Sequence, residues 1–141
     1  MGKIRVYGTN TTNMTDQNRK TIGETGEKVA ANFLRNKGYE ILDMNFQNSS
    51  GRRIGEIDIV AKDPKEDEIV FVEVKTRESR RYSDTLPEEN INHAKLRRLD
   101  KIASIYLRNK KMDGCAYRFD AVSVWLDYAT RTAKIKHIRN L

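Results

Sequence analysis

The chain has 141 residues, a length that suits one domain with one core, and its 38% hydrophobic content excludes a disordered protein. Cys115 is its only cysteine, which excludes an intrachain disulfide framework and a CxxC zinc site. The sequence shows neither the apolar core of a signal peptide nor a run of ~18 apolar residues, so it predicts no membrane-spanning helix. These features predict a soluble, cytoplasmic protein. The 27 Lys and Arg against 20 Asp and Glu give a net charge of +7, which favours a nucleic-acid partner, although many basic proteins bind none.

The first 20 residues are rich in Asn, Thr and Lys and show little periodicity. They predict an N-terminal extension, which is either mobile or joined to the fold by a short edge strand at Ile4–Tyr7. Residues 21–141 are predicted to form a single domain that contains every element described below.

The first predicted helix begins at Thr21, because Thr21 and Glu24 have the spacing of a capping box, and it ends at Gly38. A strand is then predicted over Tyr39–Phe46, followed by the polar turn of residues 47–51.

Two stronger strand patterns follow at Glu56–Ala61 and Ile69–Thr76, and the turn-forming segment around Pro64 makes them a β-hairpin. One face of this hairpin is wholly apolar and consists of Ile57, Ile59, Ala61, Val70, Val72 and Val74. On the other face, a symmetric register without bulges sets Asp58 directly opposite Glu73. A slip by two residues would separate these acids but leave them on that same face.

A basic loop around Arg77–Asp84 leads to a second helix, predicted from Pro87 to about Lys111 by the spacing of its apolar residues. Two more strands are predicted near Arg118–Leu126 and Ala133–Ile138. The predicted order is therefore α-β-β-β-α-β-β, which is typical of an α/β domain.

The carboxylate face of the hairpin predicts a metal site. Directly opposed like charges destabilise a strand pair, and a divalent cation such as Mg²⁺, which prefers carboxylate oxygens, offsets the repulsion between Asp58 and Glu73. Lys75 lies on the same face, where its amine can hold or deprotonate an attacking water. The alternative is the solvated face of an ordinary hairpin. Because Val60 and Phe71 make this face partly apolar, the functional interpretation is favoured.

These residues resemble a known nuclease motif. Gly55–Ala61, which contains Asp58, followed by Glu73-Val74-Lys75, is similar to the D-x(n)-E-x-K core of the PD-(D/E)xK superfamily, with Ile57 in place of its Pro. The sequence also resembles the YraN-type uncharacterised family, which is related to archaeal Holliday-junction resolvases. The segments that carry this resemblance are Gly26-Glu27, Gly38-Tyr39, Phe71–Arg77 and Arg118-Phe119-Asp120. The resemblance extends from about residue 23 to the C-terminus.

The resemblance implies a restriction-endonuclease-like fold, with a central mixed β-sheet flanked by helices. It also implies that Asp58 and Glu73 hold Mg²⁺ or Mn²⁺ together with the backbone carbonyl of Val74. Lys75 would act on the water, and Glu27 on the first helix would complete the metal shell.

Some roles stay open at this point. Glu27 is also an ordinary first-turn glutamate favoured by the helix dipole. Glu56, opposite Lys75 in the symmetric register, either supports the metal ligands or forms a simple salt bridge. Asp120 is interpreted as structural, and His137, which lacks a partner pattern, as a surface residue.

Several basic residues are predicted to contact DNA phosphates. They are Arg52, Arg53, Arg77, Arg80, Arg81 and Lys95. The segment Arg77–Arg81 directly follows the strand of Glu73 and Lys75 and can reach either side of the phosphate that is cut, and Lys95 faces the Ile91 side of the second helix, from which it could point into the site. For Lys95, a solvated side of the second helix is the alternative.

The predicted function is that of a metal-dependent endonuclease hydrolysing phosphodiester bonds in DNA, with branched or single-stranded regions as expected substrates. The alternative is a non-catalytic nucleic-acid-binding module or dimeric scaffold that keeps the nuclease fold. The resemblance to junction resolvases also makes a homodimer an expectation.

Overall fold

The computed structural model of the chain describes residues 2–5, 16–49, 51–78 and 92–141, with side chains from residue 20 onward within these ranges. Its elements, in chain order, are β1 (Gly2–Arg5), α1 (Asp16–Asn36), β2 (Glu40–Gln47), β3 (Glu56–Asp63), β4 (Glu68–Glu78), α2 (His93–Asn109), β5 (Tyr117–Asp127) and β6 (Thr132–Ile138).

The strands form one mixed sheet in the order β1-β6-β5-β4-β3-β2. The β4–β5 pair is parallel, and every other neighbouring pair is antiparallel. The predicted α/β class and the order of the five main strands and two helices are confirmed, and β1 adds an edge strand beside β6. None of the described helices is both long enough and apolar enough to span a membrane.

The helix boundaries differ in part from those predicted. The start of α1 at Thr21 is wrong, because the helix begins at Asp16 and Thr21 lies inside it. Residues 16–20 are polar and contain no Gly or Pro to stop a helix, so the capping-box pattern falls more than one turn too late. Gly38, with φ +94°, follows the end of α1 as predicted. The predicted start of the second helix at Pro87 lies outside the described residues, and α2 is described from His93.

The predicted hairpin and its register are confirmed over the described ladder of β3 and β4. Ile59 pairs with Val72 and Ala61 pairs with Val70, and the turn lies at residues 64–67. The predicted register without bulges therefore holds from the turn as far as Ile59.

The two faces of the sheet carry two separate hydrophobic cores, one under each helix. The α1 core contains, among others, Ala30, Leu34, Ile59, Val72 and Val124, all almost fully buried. The α2 core contains Ile57, Val60, Ile69, Phe71, Ile102, Ala103, Tyr106 and Leu107. A central mixed sheet flanked by helices agrees with what the resemblance implies.

The predicted face of Ile57 is wrong. Alternation places Ile57 on the apolar face with Ile59, but its side chain packs in the α2 core. On the neighbouring strand β2, Asn45 has φ +55° between Met44, which packs with the α1 core, and Phe46, which packs with the α2 core. Strict alternation would put Met44 and Phe46 on one face, but they lie on opposite faces, and Ile57, the partner of Phe46 in the ladder, lies on the same face as Phe46.

Candidate active site

The β3–β4 ladder opens at Asp58, one residue beyond its last pair. Ile59 and Val72 form that last pair, and the backbone N–H of Val74 donates a hydrogen bond of 2.7 Å to Oδ2 of Asp58. A side-chain carboxylate thus receives an N–H that points from β4 towards β3. This bond fixes the Asp58 carboxylate beside β4 where the two strands separate.

Helix α1 brings Glu27 to the same place because it packs closely on β4. A Cβ added to Gly26 would overlap the side chain of Thr76, so only glycine allows this approach of helix and strand. Glu27 is the next residue, and its side chain is half-buried. The contact between Gly26 and Thr76 therefore sets the position of Glu27 over the sheet.

Three carboxylates meet at this opening: one oxygen from each of Glu27, Glu56 and Asp58 lies within 4.8 Å of the others. We call these residues the carboxylate cluster. Glu56 also accepts hydrogen bonds through Oε2 from Gln47 (2.9 Å) and Arg53 (3.2 Å). A set of three carboxylate oxygens at such distances fits a hard divalent cation and could hold one.

Glu73 lies beside this cluster and is paired with two lysines. Its Oε1 is 3.2 Å from Nζ of Lys75 on the same strand and 2.7 Å from Nζ of Lys95 on α2. Lys95 is in the first turn of α2, whose start is capped by the Asn92 side chain through the backbone N–H of Lys95. The cap thus fixes the turn that carries the second lysine.

Burial and mutual repulsion both shift the titration of the acids. Burial first, and the negative charge of Glu73 second, raise the pKa of Asp58 to about 8, and the Val74 hydrogen bond only partly opposes them. Burial also raises the pKa of Glu27, against a lowering hydrogen bond from Asn45. A bound cation would relieve this repulsion, since a positive charge favours the ionised form of each acid.

The two lysines are shifted in opposite directions. The pKa of Lys75 is lowered, chiefly by burial and by the neighbouring Lys95. The pKa of Lys95 is raised, because its contacts with Glu73 and Lys75 outweigh the effect of burial. Lys75 is therefore the better proton acceptor and Lys95 the better permanent cation.

The predicted site residues Glu27, Asp58, Glu73 and Lys75 all lie in this region. Glu27 and Asp58 join the carboxylate cluster, whereas Glu73 lies next to it on the lysines. Glu56, left open by the sequence, is a member of the cluster, and the basic partner within its reach is Arg53 rather than Lys75.

The predicted DNA contacts are more scattered. Arg52, Arg53 and Arg77 are exposed, and Arg53 is paired with Glu56. Lys95 points into the site rather than along a solvated helix side. Arg80 and Arg81 lie outside the described residues.

Sequence reasoning missed Asn45 and did not assign Arg98 to the site. Asn45 hydrogen-bonds to Glu27 from β2, and its left-handed backbone is a conformation in which Asn is enriched. Arg98 lines a cavity beside Asp58 and Glu73, and its spacing of three residues from Lys95 on one helix was the available signal.

A second polar cluster lies at the other end of the β3–β4 hairpin, and we call it the Arg118 cluster. The buried Arg118 guanidinium contacts Asp63 (3.1 Å), Glu68 (2.8 Å) and Asp120 (3.0 Å). Asp120 is fully buried, which agrees with its predicted structural role.

The predicted surface position of His137 is wrong, because its side chain is 3% exposed and lies 2.8 Å from Oδ2 of Asp120. Its Nδ1 lies 3.1 Å from Nζ of Lys37, so the lysine donates to Nδ1 and the Nε2–H donates to Asp120. Its partners come from the turn after α1 and from β5, distant in sequence, and no local pattern around His137 could indicate them.

These features define an α/β protein with a mixed sheet between two helices and a carboxylate–lysine site where the sheet opens. The chain belongs to the uncharacterised protein family UPF0102, whose family model matches residues 26–124. This confirms the predicted YraN-type membership, and the matched segment contains the whole carboxylate cluster, Glu73, Lys75 and Lys95.

Relatives in this family align along nearly all of their length. A UPF0102 protein of Caldicellulosiruptor saccharolyticus is 39% identical over 123 residues, covering 87% of this chain and 98% of its own. A UPF0102 protein of Caldanaerobacter subterraneus is 41% identical over 124 residues, covering 87% and 95%. One from Clostridioides difficile is 39% identical over 123 residues, covering 87% and 97%.

Proposed function

We propose that this protein is a metal-dependent endonuclease that hydrolyses phosphodiester bonds in DNA. The observation that carries the proposal is the approach of the Glu27, Glu56 and Asp58 carboxylates to within 4.8 Å, beside a glutamate held by two lysines. An excess of half-buried acids next to cations is costly for stability and is typical of sites that bind a metal and an anionic substrate.

The fold supports the same reaction class. A mixed sheet between two helices, with an acid on one strand and Glu73-Val74-Lys75 on the next, is the arrangement expected of a restriction-endonuclease-like domain. The net charge of +7 favours a polyanionic substrate such as DNA.

Each residue has a proposed role. Glu27 and Asp58 would hold Mg²⁺ or Mn²⁺, with Glu56 or Glu73 as a further oxygen ligand. When bound, the metal lowers the pKa of a water and stabilises charge on the phosphoryl oxygens. Lys75, the lysine that is easier to deprotonate, would orient the attacking water and accept its proton.

Lys95 and the arginines predicted to contact DNA would neutralise its backbone. Lys95 Nζ lies 2.7 Å from Glu73 Oε1, close enough to the acids to meet the phosphate that is cut. Arg52, Arg53, Arg77, Arg80 and Arg81 are proposed to contact flanking phosphates, which position a substrate without reading its sequence.

The test is cleavage of branched and single-stranded DNA with Mn²⁺ by the native protein, Asp58→Ala and Lys75→Ala. Loss of a metal ligand or of a general base is expected to reduce the rate on the order of 10²- to 10⁴-fold. Matched controls are Asp67→Ala and Lys62→Ala, which remove an acid and a lysine from the turn end of the hairpin, where they pair at 3.4 Å. Equal activity in all five proteins would identify a contaminating nuclease and end the proposal.

Metal uptake separates the enzyme from a non-catalytic DNA-binding module. The native protein should gain thermal stability with Mn²⁺, by ~2.7 kcal/mol at a concentration 100 times the Kd, and Asp58→Ala should gain far less. DNA binding that is independent of metal, without cleavage, would instead favour the binding module.

A further inference from the structure

A cavity of about 400 Å³ opens directly beside the carboxylate cluster, between the start of β3 and helix α2. Glu56, Asp58, Glu73 and Lys95 form one side of it. Its volume is at the low end of the ~300–1,000 Å³ typical of small-ligand pockets. The cavity can therefore hold one flat ring system rather than a helix or a second protein chain.

The other side of this cavity is apolar. Ile54, Leu99 and Ile102 line it, and Leu99 and Ile102 are 7% and 0% exposed. A phosphodiester group is charged and gains nothing from such a wall. A nucleobase, by contrast, has apolar faces that are stabilised when they leave water.

Arg98 completes the lining on the α2 side. Within the described part of the chain, no carboxylate lies at ion-pair distance from its guanidinium, whereas Lys95, one turn earlier, is paired with Glu73. An arginine guanidinium can stack on a base or bind the adjoining phosphate.

We propose that this cavity receives an unpaired base next to the phosphate that is cut, so that the substrate class is DNA with unpaired nucleotides. The inference rests on the proposed nuclease function and deepens it. A paired base reaches such a cavity only after unstacking, which costs a few kcal/mol, and this cost is least where the base is already single-stranded. Single strands, flaps and branches are therefore favoured over continuous duplex.

Binding is tested first with two single-stranded probes of equal length and equal phosphate number. One is an oligothymidylate, and the other carries the same sugar–phosphate chain without bases; both are measured in EDTA so that no cleavage occurs. The native protein is expected to bind the oligothymidylate about 5- to 100-fold more tightly, as stacking of a single base gives. Equal binding of the two probes would overturn the proposal.

Variants then locate the base. Ile54→Trp fills the cavity and should remove most of the preference for bases, with an unchanged melting temperature as the folding control. Arg98→Ala should also reduce the preference. Arg97→Ala removes the same charge from the same helix but lies outside this cavity, so it should weaken both probes equally. A base preference that survives both Ile54→Trp and Arg98→Ala would overturn the assignment to this cavity.

Cleavage separates this inference from the function on which it rests. The native protein with Mn²⁺ should cut single-stranded or flapped DNA at least 10-fold faster than continuous duplex. Cleavage of both substrates at the same rate would support the nuclease function and overturn the proposed binding of a base in this cavity. A base preference in binding without any metal-dependent cleavage would leave the cavity standing and remove the nuclease.

Discussion

The β3–β4 hairpin carries charged residues at both ends, and the two ends are built differently. At the turn end, Asp63 and Glu68 are held by Arg118, and the pKa of Asp63 is lowered because its hydrogen bonds outweigh burial. At the open end, burial and then the charges of neighbouring acids raise the pKa of Asp58 to about 8. One end stabilises the fold, and the other keeps a repulsion that a cation can relieve.

The largest expected effect is the loss of Arg118. Arg118→Ala leaves three acids without their shared cation in a buried place, and removing one partner of a buried ion pair costs ~3–5 kcal/mol. Urea unfolding measures this. Arg139→Ala is the control, since Arg139 is 46% exposed at 3.7 Å from Asp63, and it should cost under ~1 kcal/mol. Similar losses for both would mean that the Arg118 cluster is no better compensated than a surface pair.

Gly26→Ala tests how the helix holds the open end. The added methyl group meets Thr76, and overpacking of this kind costs ~1–3 kcal/mol. Gly23→Ala in the same helix meets nothing within 4 Å and should stabilise the protein by ~0.5–1 kcal/mol. Thermal unfolding compares the two variants. A Gly26→Ala protein as stable as Gly23→Ala would contradict the close contact between α1 and β4.

The acid sensitivity of the Arg118 cluster gives a smaller effect. Hydrogen bonds from His137, Arg118 and the Asn140 N–H outweigh burial and lower the pKa of Asp120. Because the pKa of Asp120 is lower in the folded protein than in the unfolded chain, where it is ~3.9, the group stabilises the fold at pH values above ~3.9. This stability is lost as the pH falls through the pKa of the folded protein. The unfolding free energy should therefore drop below about pH 4, with at most ~1.4 kcal/mol per pH unit from this one group.

The control for that slope is a pair of substitutions. Asp120→Asn should lower stability at neutral pH and flatten the decline below about pH 4, whereas the exposed Asp67→Asn should leave the decline unchanged. If the unfolding free energy of Asp120→Asn fell with pH as steeply as that of the native protein, the acid sensitivity would come from other groups.

The smallest effect has the opposite sign. Above about pH 8, where Asp58 is ionised, Asp58→Asn removes one of three crowded negative charges while an amide oxygen can still accept the Val74 N–H, so the metal-free protein should gain ~0.2–1 kcal/mol at that pH. Unfolding in EDTA and in Mn²⁺ should show the gain only in EDTA. A loss of stability in EDTA would indicate that the open end, like the turn end, is already compensated.

Local patterns were enough for much of the fold. The alternation of apolar residues gave the strands, and the symmetric register gave the pairing of Ile59 with Val72. The same alternation misplaces Ile57, which packs in the α2 core with Phe46, its partner on β2, rather than with Ile59. The face on which a side chain lies could be predicted where it follows from the pattern of its own strand. It could not be predicted where it depends on a neighbouring strand.

The candidate site shows the same limit. Asp58, Glu73 and Lys75 follow from the hairpin and the motif, since all three lie on adjacent strands. The pairing of Glu73 with Lys95 depends on how α2 packs over the sheet, and the inclusion of Glu56 depends on how the ladder opens. Neither leaves a pattern in the sequence around those residues.

The parallel pairing of β4 and β5 has a consequence for the order in which the chain assembles. Its first pair joins Ile69 to Tyr117 across the whole α2 crossover, whereas the β3–β4 hairpin closes only a short turn. Closing longer loops slows folding far more than it weakens the product. We therefore expect the amides of β3 to become protected before those of β5 in pulse-labelling hydrogen exchange. The strands that carry the acids would then pair before Arg118 on β5 forms its contacts with Asp63 and Glu68.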